Sequence, residues 1–318
     1  MARSSRPDPE ASLKRWWVRP LVRTVAALAL PVAVPLLLTL LLWALPGDPA
    51  SIVCPPENCT GTEALAERWN LHRGPMHFFS AWMSNAAGGE LGNSWRMQAG
   101  VPVSDLVKES IPNTLALIGL AFIPILLGTV LAALDAIHRR LDPILHLMGL
   151  FPAVILAVIA AAWKVLTYTE FGGETAALFL GAAVLGIADG AFSGAVTGTR
   201  SVSSAERRQR YTGVGVLRGE TELSNILPNI TPALVGQLRA RILHLFSGAV
   251  VVEVVLKIDG LGDLLWQAAL VQDFGVVLPV ATVFACFSAI LLLAQALAEG
   301  GVAVWIRWSP KGVMERAA

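Results

Sequence analysis

The stretch TLALIGLAFIPILLGTVLAAL, Thr114 to Leu134, carries no charged residue and is long enough, as a helix, to cross about 30 Å of hydrocarbon. Stretches equally free of Asp, Glu, Lys and Arg lie on either side of it at Thr24–Leu45, Ile144–Trp163 and Phe274–Ala298. Two more are apolar but interrupted by charge: Thr175–Thr199 contains Asp189, and Ile230–Leu256 contains Arg239, Arg241, His244 and Glu253. The pattern predicts an all-α polytopic membrane protein with about six transmembrane helices. Composition agrees, since 55% of the 318 residues are apolar and 15% charged, against about 25% charged in a soluble domain. Mean hydropathy is +0.62. A formal charge of +1 lacks the basic footprint that nucleic-acid binding requires, so nucleic acid is excluded as a partner and the lipid bilayer is the expected one.

Lys and Arg in the connecting segments set the orientation. With the N-terminus inside, sixteen fall on the cytoplasmic side, among them Arg23, Arg139, Arg140, Arg200, Arg207, Arg208, Arg210 and Arg218. Six fall outside (Arg68, Arg73, Arg96, Lys108, Lys164 and Lys257), and Arg239 and Arg241 lie within the fifth span. The chain then reads as a basic cytoplasmic N-terminus (1–23), a first helix (24–45), an exterior segment (46–112), a core with five spans (113–305) and a cytoplasmic tail (306–318). Both termini are expected in the cytoplasm of a multi-pass inner-membrane protein. The first span, preceded by six basic residues and longer than a signal-peptide core, reads as a retained anchor. In the exterior segment Thr62–Trp69 reads as a short capped helix stopped near Gly74-Pro75. The loop 200–229 is the long cytoplasmic connection, ending at Leu227-Pro228-Asn229.

No catalytic pattern is present. The chain lacks a G-x-x-x-x-G-K-[ST] phosphate loop, an H-E-x-x-H zinc helix and a G-x-S-x-G elbow, which Gly190–Gly194 misses by one position. It therefore reads as a non-enzyme that binds no metal or other cofactor of its own, with energy supplied from elsewhere. Cys54 and Cys59 leave two readings open, a small disulfide loop in an oxidising compartment or two unrelated thiols; Cys286 reads as packing.

Separated motifs resemble one family. Leu45-Pro46-Gly47-Asp48-Pro49, Gly89-Glu90-Leu91-Gly92-Asn93-Ser94, Ile111-Pro112-Asn113-Thr114-Leu115, Thr199-Arg200-Ser201, Gly248–Glu253 (GAVVVE), Gly260-Leu261-Gly262 and Asp273-Phe274 occur in the family's order. They resemble the membrane permeases of dipeptide-, oligopeptide- and nickel-type ABC importers, the binding-protein-dependent inner membrane components. The resemblance implies half of a translocation path for peptides or a similar small solute. It also implies a second permease, two ATPase subunits that use the ATP, and an exterior solute-binding protein.

The family's coupling helix, E-A-A-x-x-x-G, aligns with Arg210–Gly219, placing Gly213, Val214 and Gly215 at the E-A-A positions and Gly219 at the glycine. The resemblance gives Tyr211 and Leu217 the role of apolar anchors on the ATPase and Arg210 and Arg218 the rim. Two glycines inside the helix, each costing about 1 kcal/mol against alanine, weaken it.

Within the membrane, Gln237, Arg241 and His244 fall on one helical stripe, whereas Arg239 and Arg241 diverge by about 200°. One reading puts this stripe on the translocation path, facing an anionic group such as a peptide carboxylate; the other lets the arginines snorkel to cytoplasmic headgroups. Asp189 is the expected counter-charge for Arg239 or Arg241. Gly181, Gly186, Gly190, Gly194 and Gly198 predict close helix packing, and Pro124, Pro152 and Pro279 predict kinks. The intramembrane charges would also suit an ion-coupled secondary transporter, and the degraded coupling motif a non-transporting scaffold.

Overall fold

The computed structural model describes residues 18–47, 49–53, 62–167 and 173–308. Cys54 and Cys59 lie outside the described residues. Thirteen α-helices make up the described fold, and the single strand-like contact there is the isolated bridge between Asn93 and Pro102. The protein is an all-α polytopic membrane protein.

Helix α1 (Val18–Ala44) lies along the last helix, α13 (Phe274–Trp308). An ion pair between Arg23 and Glu299 joins the start of one to the far end of the other, which brings both ends of the described chain to the same side of the bundle. On the opposite side sit the short helices α2 (Pro49–Val53), α3 (Thr62–Arg68) and α4 (Pro75–Ala87). Helix α3 matches the expected short helix, and a 3-10 turn, Leu71–Arg73, precedes Gly74. The long helix α5 (Val103–Ala133) starts well before Thr114, so the approach to the second span is itself helical.

The third span is not continuous, contrary to the reading of Ile144–Trp163. It consists of α6 (Asp142–Met148) and α7 (Ala153–Thr167), bent by 80° across Gly149–Pro152. Pro152 has no N–H to extend a helix and disfavours helical geometry at Phe151. Pro124 and Pro279, in contrast, sit inside unbroken helices. The fourth span is α8 (Gly173–Ile187) and α9 (Ala191–Arg207), separated by a 3-10 turn over Ala188–Gly190. Helix α10 (Arg210–Leu217) follows, then α11 (Glu222–Leu256) and α12 (Leu261–Leu270).

The expected loop end at Leu227-Pro228-Asn229 is helical: α11 begins at Glu222, where Thr221 caps it through the Ser224 N–H at 3.3 Å, and it runs through Pro228 and Pro232. Among the described residues four helices are long and apolar enough to cross a bilayer, or five if the bent α6–α7 pair counts as one span. Helix α11 has the length, at 35 residues, but carries Arg239, Arg241 and Glu253.

Small residues dominate where helices meet. Ala121, Ala157, Ala160, Ala177, Ala182, Ala195 and Ala249 are buried in the central cluster with Leu117, Ile125, Leu245 and Val252, as expected where backbones approach closely inside a membrane. Large apolar side chains point outward instead, including Leu28, Leu37, Ile123, Val165, Leu166 and Leu297. In water such a surface would be an aggregation hazard; against acyl chains it is the favourable one.

Two buried carboxylates fix the end of the bundle opposite the described termini, and they tie several of the scattered motifs to one another. Glu253, at the end of α11, accepts from Thr114 Oγ1 at 2.7 Å and from the Gly262 and Asp263 N–H groups at 2.7 and 3.2 Å. Thr114 Oγ1 also accepts from the Leu261 N–H at 2.7 Å. The carboxylate thus occupies the N-terminus of α12, where orphan N–H groups favour negative charge. A methyl at Gly260 would overlap that carboxylate, and one at Gly262 would come to 2.5 Å of Val250 Cα, so the G-L-G sequence follows from the clasp. Asp273 accepts from Ser94 Oγ at 2.5 Å and from the Trp95, Arg96 and Met97 N–H groups at 2.9–3.1 Å. It ties the turn after the G-E-L-G-N-S segment to the start of α13, over an aromatic cluster of Phe78, Trp82, Trp95 and Phe274.

Asp273→Ala would orphan four buried or half-buried donors, each worth about 1–3 kcal/mol when left unpaired. The expected outcome is much faster proteolysis within residues 89–102 of the purified protein in detergent, with the helical content by circular dichroism unchanged; Asp273→Asn should fall between.

Candidate functional site

The expected functional residues divide between the short helix α10 and a charged helix break inside the bundle. Helix α10 is two turns long rather than four, and Gly219, at φ +84°, ends it in a left-handed turn. Its position is set by its neighbours. Thr212 Oγ1 donates to the Glu206 carbonyl at 3.1 Å, and Tyr211 donates to the Glu206 carboxylate while accepting from Asn229 Nδ2 at 2.7 Å. Tyr211 is therefore not the exposed anchor expected for it but a half-buried clasp between α9 and α11. Burial, with the Glu206 contact second, raises its phenol above the ordinary value.

Apolar exposure lies instead on Val214, Val216 and Leu217, the last 88% exposed. The two glycines differ: Gly213 faces open space, whereas a methyl at Gly215 would overlap the Asn225 amide of α11. Gly215 is thus a packing requirement that a comparison of helix propensities does not see. Arg210 and Arg218 flank the helix at either end.

Behind α10, two arginines fasten α9 to the neighbouring elements. Arg200 pairs with Asp142 and donates to the Ile137 carbonyl. Arg207 pairs with Asp135 at 3.2 Å and Glu222 at 3.8 Å, and it donates to the Ala133 carbonyl at 3.1 Å at the end of α5. Sequence reasoning counted Arg207 only as orienting charge, and Arg200 as orienting charge and as part of the Thr199-Arg200-Ser201 segment.

The second element is the break between α8 and α9. Asp189 and Gly190 are successive left-handed residues, at φ 50° and 71°. The break abuts the one between α6 and α7: the Asp189 N–H donates to the Phe151 carbonyl at 3.0 Å, and a methyl at Gly149 would come to 2.5 Å of Ser193 Oγ and 3.2 Å of Gly190 Cα. Each break satisfies a backbone group that the other would leave bare in hydrocarbon.

The stripe Gln237, Arg241 and His244 packs over this break and the glycines beyond it. A methyl at Gly198 would meet the Gln237 amide at 3.1 Å, and one at Gly194 would overlap the Arg241 guanidinium. Arg241 Nη1 donates to the Gly190 carbonyl at 3.3 Å. The counter-charge expectation is corrected: Asp189 Oδ2 lies 3.9 Å from His244 Nε2 and pairs with neither Arg239 nor Arg241 among the described residues. Asp189 sits at φ 50° in the break between α8 and α9 rather than within a helix. Arg239 makes no ion pair or hydrogen bond among the described residues and keeps its Nε buried. Glycine packing is as expected, Gly181 meeting Val252 and Leu117, and Gly186 meeting the Ala121 carbonyl at 3.4 Å.

Residues 125–303 match the family described as the binding-protein-dependent transport system inner membrane component. The chain belongs to this family. It is therefore a membrane transport subunit of an ABC importer, a component that works with other subunits. The permease is 28% identical to putative peptide transport system permease proteins of Brucella abortus and Brucella suis, over 81% of this chain and 88% of each relative. It is 25% identical to the oligopeptide transport system permease protein AppB of Bacillus subtilis, over 83% of this chain and 90% of that one.

The two glycines of α10 should respond in opposite directions. Gly213→Ala is expected to stabilise the purified permease by up to about 1 kcal/mol through helix propensity, and Gly215→Ala to destabilise it by about 1–3 kcal/mol through overlap with Asn225. Thermal unfolding in detergent reads both, and equal shifts would contradict the packing of α10 on α11.

Proposed function

We propose that the permease forms one half of a peptide translocation path in the inner membrane, paired with a second permease, driven by two ATPase subunits and fed by an exterior solute-binding protein. The observation that carries this reading is the exposed apolar surface of α10, Val214, Val216 and Leu217, on a helix held to both α9 and α11. An apolar patch on the polar side of a membrane protein fits a protein partner. The basic residues around it support a cytoplasmic placement, and with it cytoplasmic termini, by the positive-inside rule. Peptide as solute rests on the names of the relatives matched over most of their length. ATP is used by the partner subunits, and the chain itself binds no cofactor.

In this reading Leu217 and Val214 enter a cleft on an ATPase subunit. Closing of the two ATPases draws the α10 helices together. Because Tyr211, Thr212 and Arg207 join α10 to α9, α11 and the end of α5, these helices move with it, and the path changes between its inward-open and outward-open forms. Gln237, Arg241, His244 and Asp189 lie along that path.

Replacing Val214 and Leu217 with Asp should lower affinity for the ATPase by about 2 kcal/mol or more, roughly thirtyfold. Affinity capture from mild detergent would then lose the ATPase while retaining the second permease. Tyr211→Phe, which keeps the ring and removes only the bonds to Glu206 and Asn229, should retain capture but lower solute-stimulated ATP hydrolysis. Unchanged capture by the double Asp variant would sink the assignment of α10.

A further inference from the structure

The charged break has hydrogen-bonding capacity that the described residues leave unused. The Asp189 carboxylate accepts no hydrogen bond among them, its nearest charged neighbour being His244 at 3.9 Å. Arg241 uses one donor of five, toward the Gly190 carbonyl. The Asp189 and His244 side chains are 40% and 39% exposed, about midway along the span Thr175–Arg207. Half-exposed charge at that depth costs several kcal/mol against acyl chains and belongs on a wet path or a protein interface. Small and polar residues lie on both helices beside the pair: Ala240 and Ser247 are exposed on α11 on either side of His244, and Gly194, Thr197 and Gly198 are half-exposed on α9, with the apolar Phe192 half-exposed and Ile187 exposed next to the break.

We propose that this break is a station for the main chain of the passing solute, with Arg241 receiving a carboxylate or carbonyl oxygen and Asp189 an ammonium or N–H group. The inference rests on the peptide-path reading above and names the part of the peptide that the path holds. A donor and an acceptor placed side by side match what every peptide main chain offers, whatever its side chains. Each group also has a neighbour that competes with the solute, the Gly190 carbonyl for Arg241 and the His244 ring, at 3.9 Å, for Asp189. That competition keeps the station weak, as passage requires.

The test is ATP-driven uptake by the full assembly in proteoliposomes, with trialanine, trialanine amide and N-acetyl-trialanine as probes. Arg241→Gln is expected to raise the half-saturating concentration for trialanine about tenfold and to leave that for the amide nearly unchanged, with Arg241→Lys restoring much of the loss. Asp189→Asn should do the same for trialanine while sparing the N-acetylated probe. A folding defect lowers maximal uptake of all probes in proportion, so the ratios between probes are the readout. Equal shifts for every probe, or none, overturn the station while leaving the importer intact. If the wild type carries trialanine alone, the station stands or falls on the Arg241→Gln shift and its rescue by Lys. A wild-type assembly that carries none of the three, with its ATPase active, removes the peptide reading and the station with it.

Discussion

Glu253 is a carboxylate without solvent exposure near the C-terminal end of α11, and the way it is satisfied dictates where three helices meet. It needs donors; α12 has orphan N–H groups at its start; Thr114 on α5 supplies a hydroxyl that donates to one and accepts from the other. No two of these partners suffice, because removing the third leaves either a buried anion or a buried N–H unpaired. The requirement reaches into the sequence as Gly260 and Gly262, where any side chain would occupy the space of the carboxylate or of Val250. With α5, α11 and α12 fixed, α13 follows after a short turn, and Asp273 at that turn repeats the device on the exterior segment.

Much of this was legible, but as resemblance rather than as structure. The IPNTL, GAVVVE and GLG segments were recognised in order, and nothing in their spacing revealed that they meet around one carboxylate, because residue 114 lies far from 253 and 262 in the chain. Apolar run length placed the helices well, since a bilayer imposes length and composition together. It failed at Gly149–Pro152 and Ala188–Gly190. A run of apolar residues looks alike whether the helix through it is whole or broken, and what permits these two breaks is that each lies against the other. Their pairing is a tertiary fact: the Phe151 carbonyl finds the Asp189 N–H.

The same limit applies to charge. Helical spacing put Gln237, Arg241 and His244 on one stripe, and Gln237 and Arg241 lie against Gly198 and Gly194 of the helix where glycine spacing predicted close packing. Asp189 was expected as the counter-charge of Arg239 or Arg241, but it sits in a left-handed break and its nearest charged-type neighbour is His244. Tyr211 was misjudged for a different reason: an aromatic in a coupling motif reads as an anchor, yet its hydroxyl finds Glu206 behind it and Asn229 beside it. Arg200 and Arg207 carried an orientation signal in the sequence, and the structure gives them a second task that no count of charges contains.

These corrections bear on how force would pass through the permease. A coupling helix with two glycines is intrinsically weak, and if it were free it would absorb motion by unwinding. It is not free: Gly215 allows α10 to lie against Asn225, and Thr212 and Tyr211 hold it to α9 and α11, so tertiary contacts replace the propensity that the glycines remove. Arg207 extends the same unit to α5 and to the first turn of α11. Helix α9 then runs without interruption to Ala191, where the left-handed pair Asp189-Gly190 interrupts the backbone ladder. Helix α10 is thereby joined through an unbroken α9 to the left-handed turn where Asp189, Arg241 and His244 gather, the point at which the backbone ladder of the fourth span is interrupted.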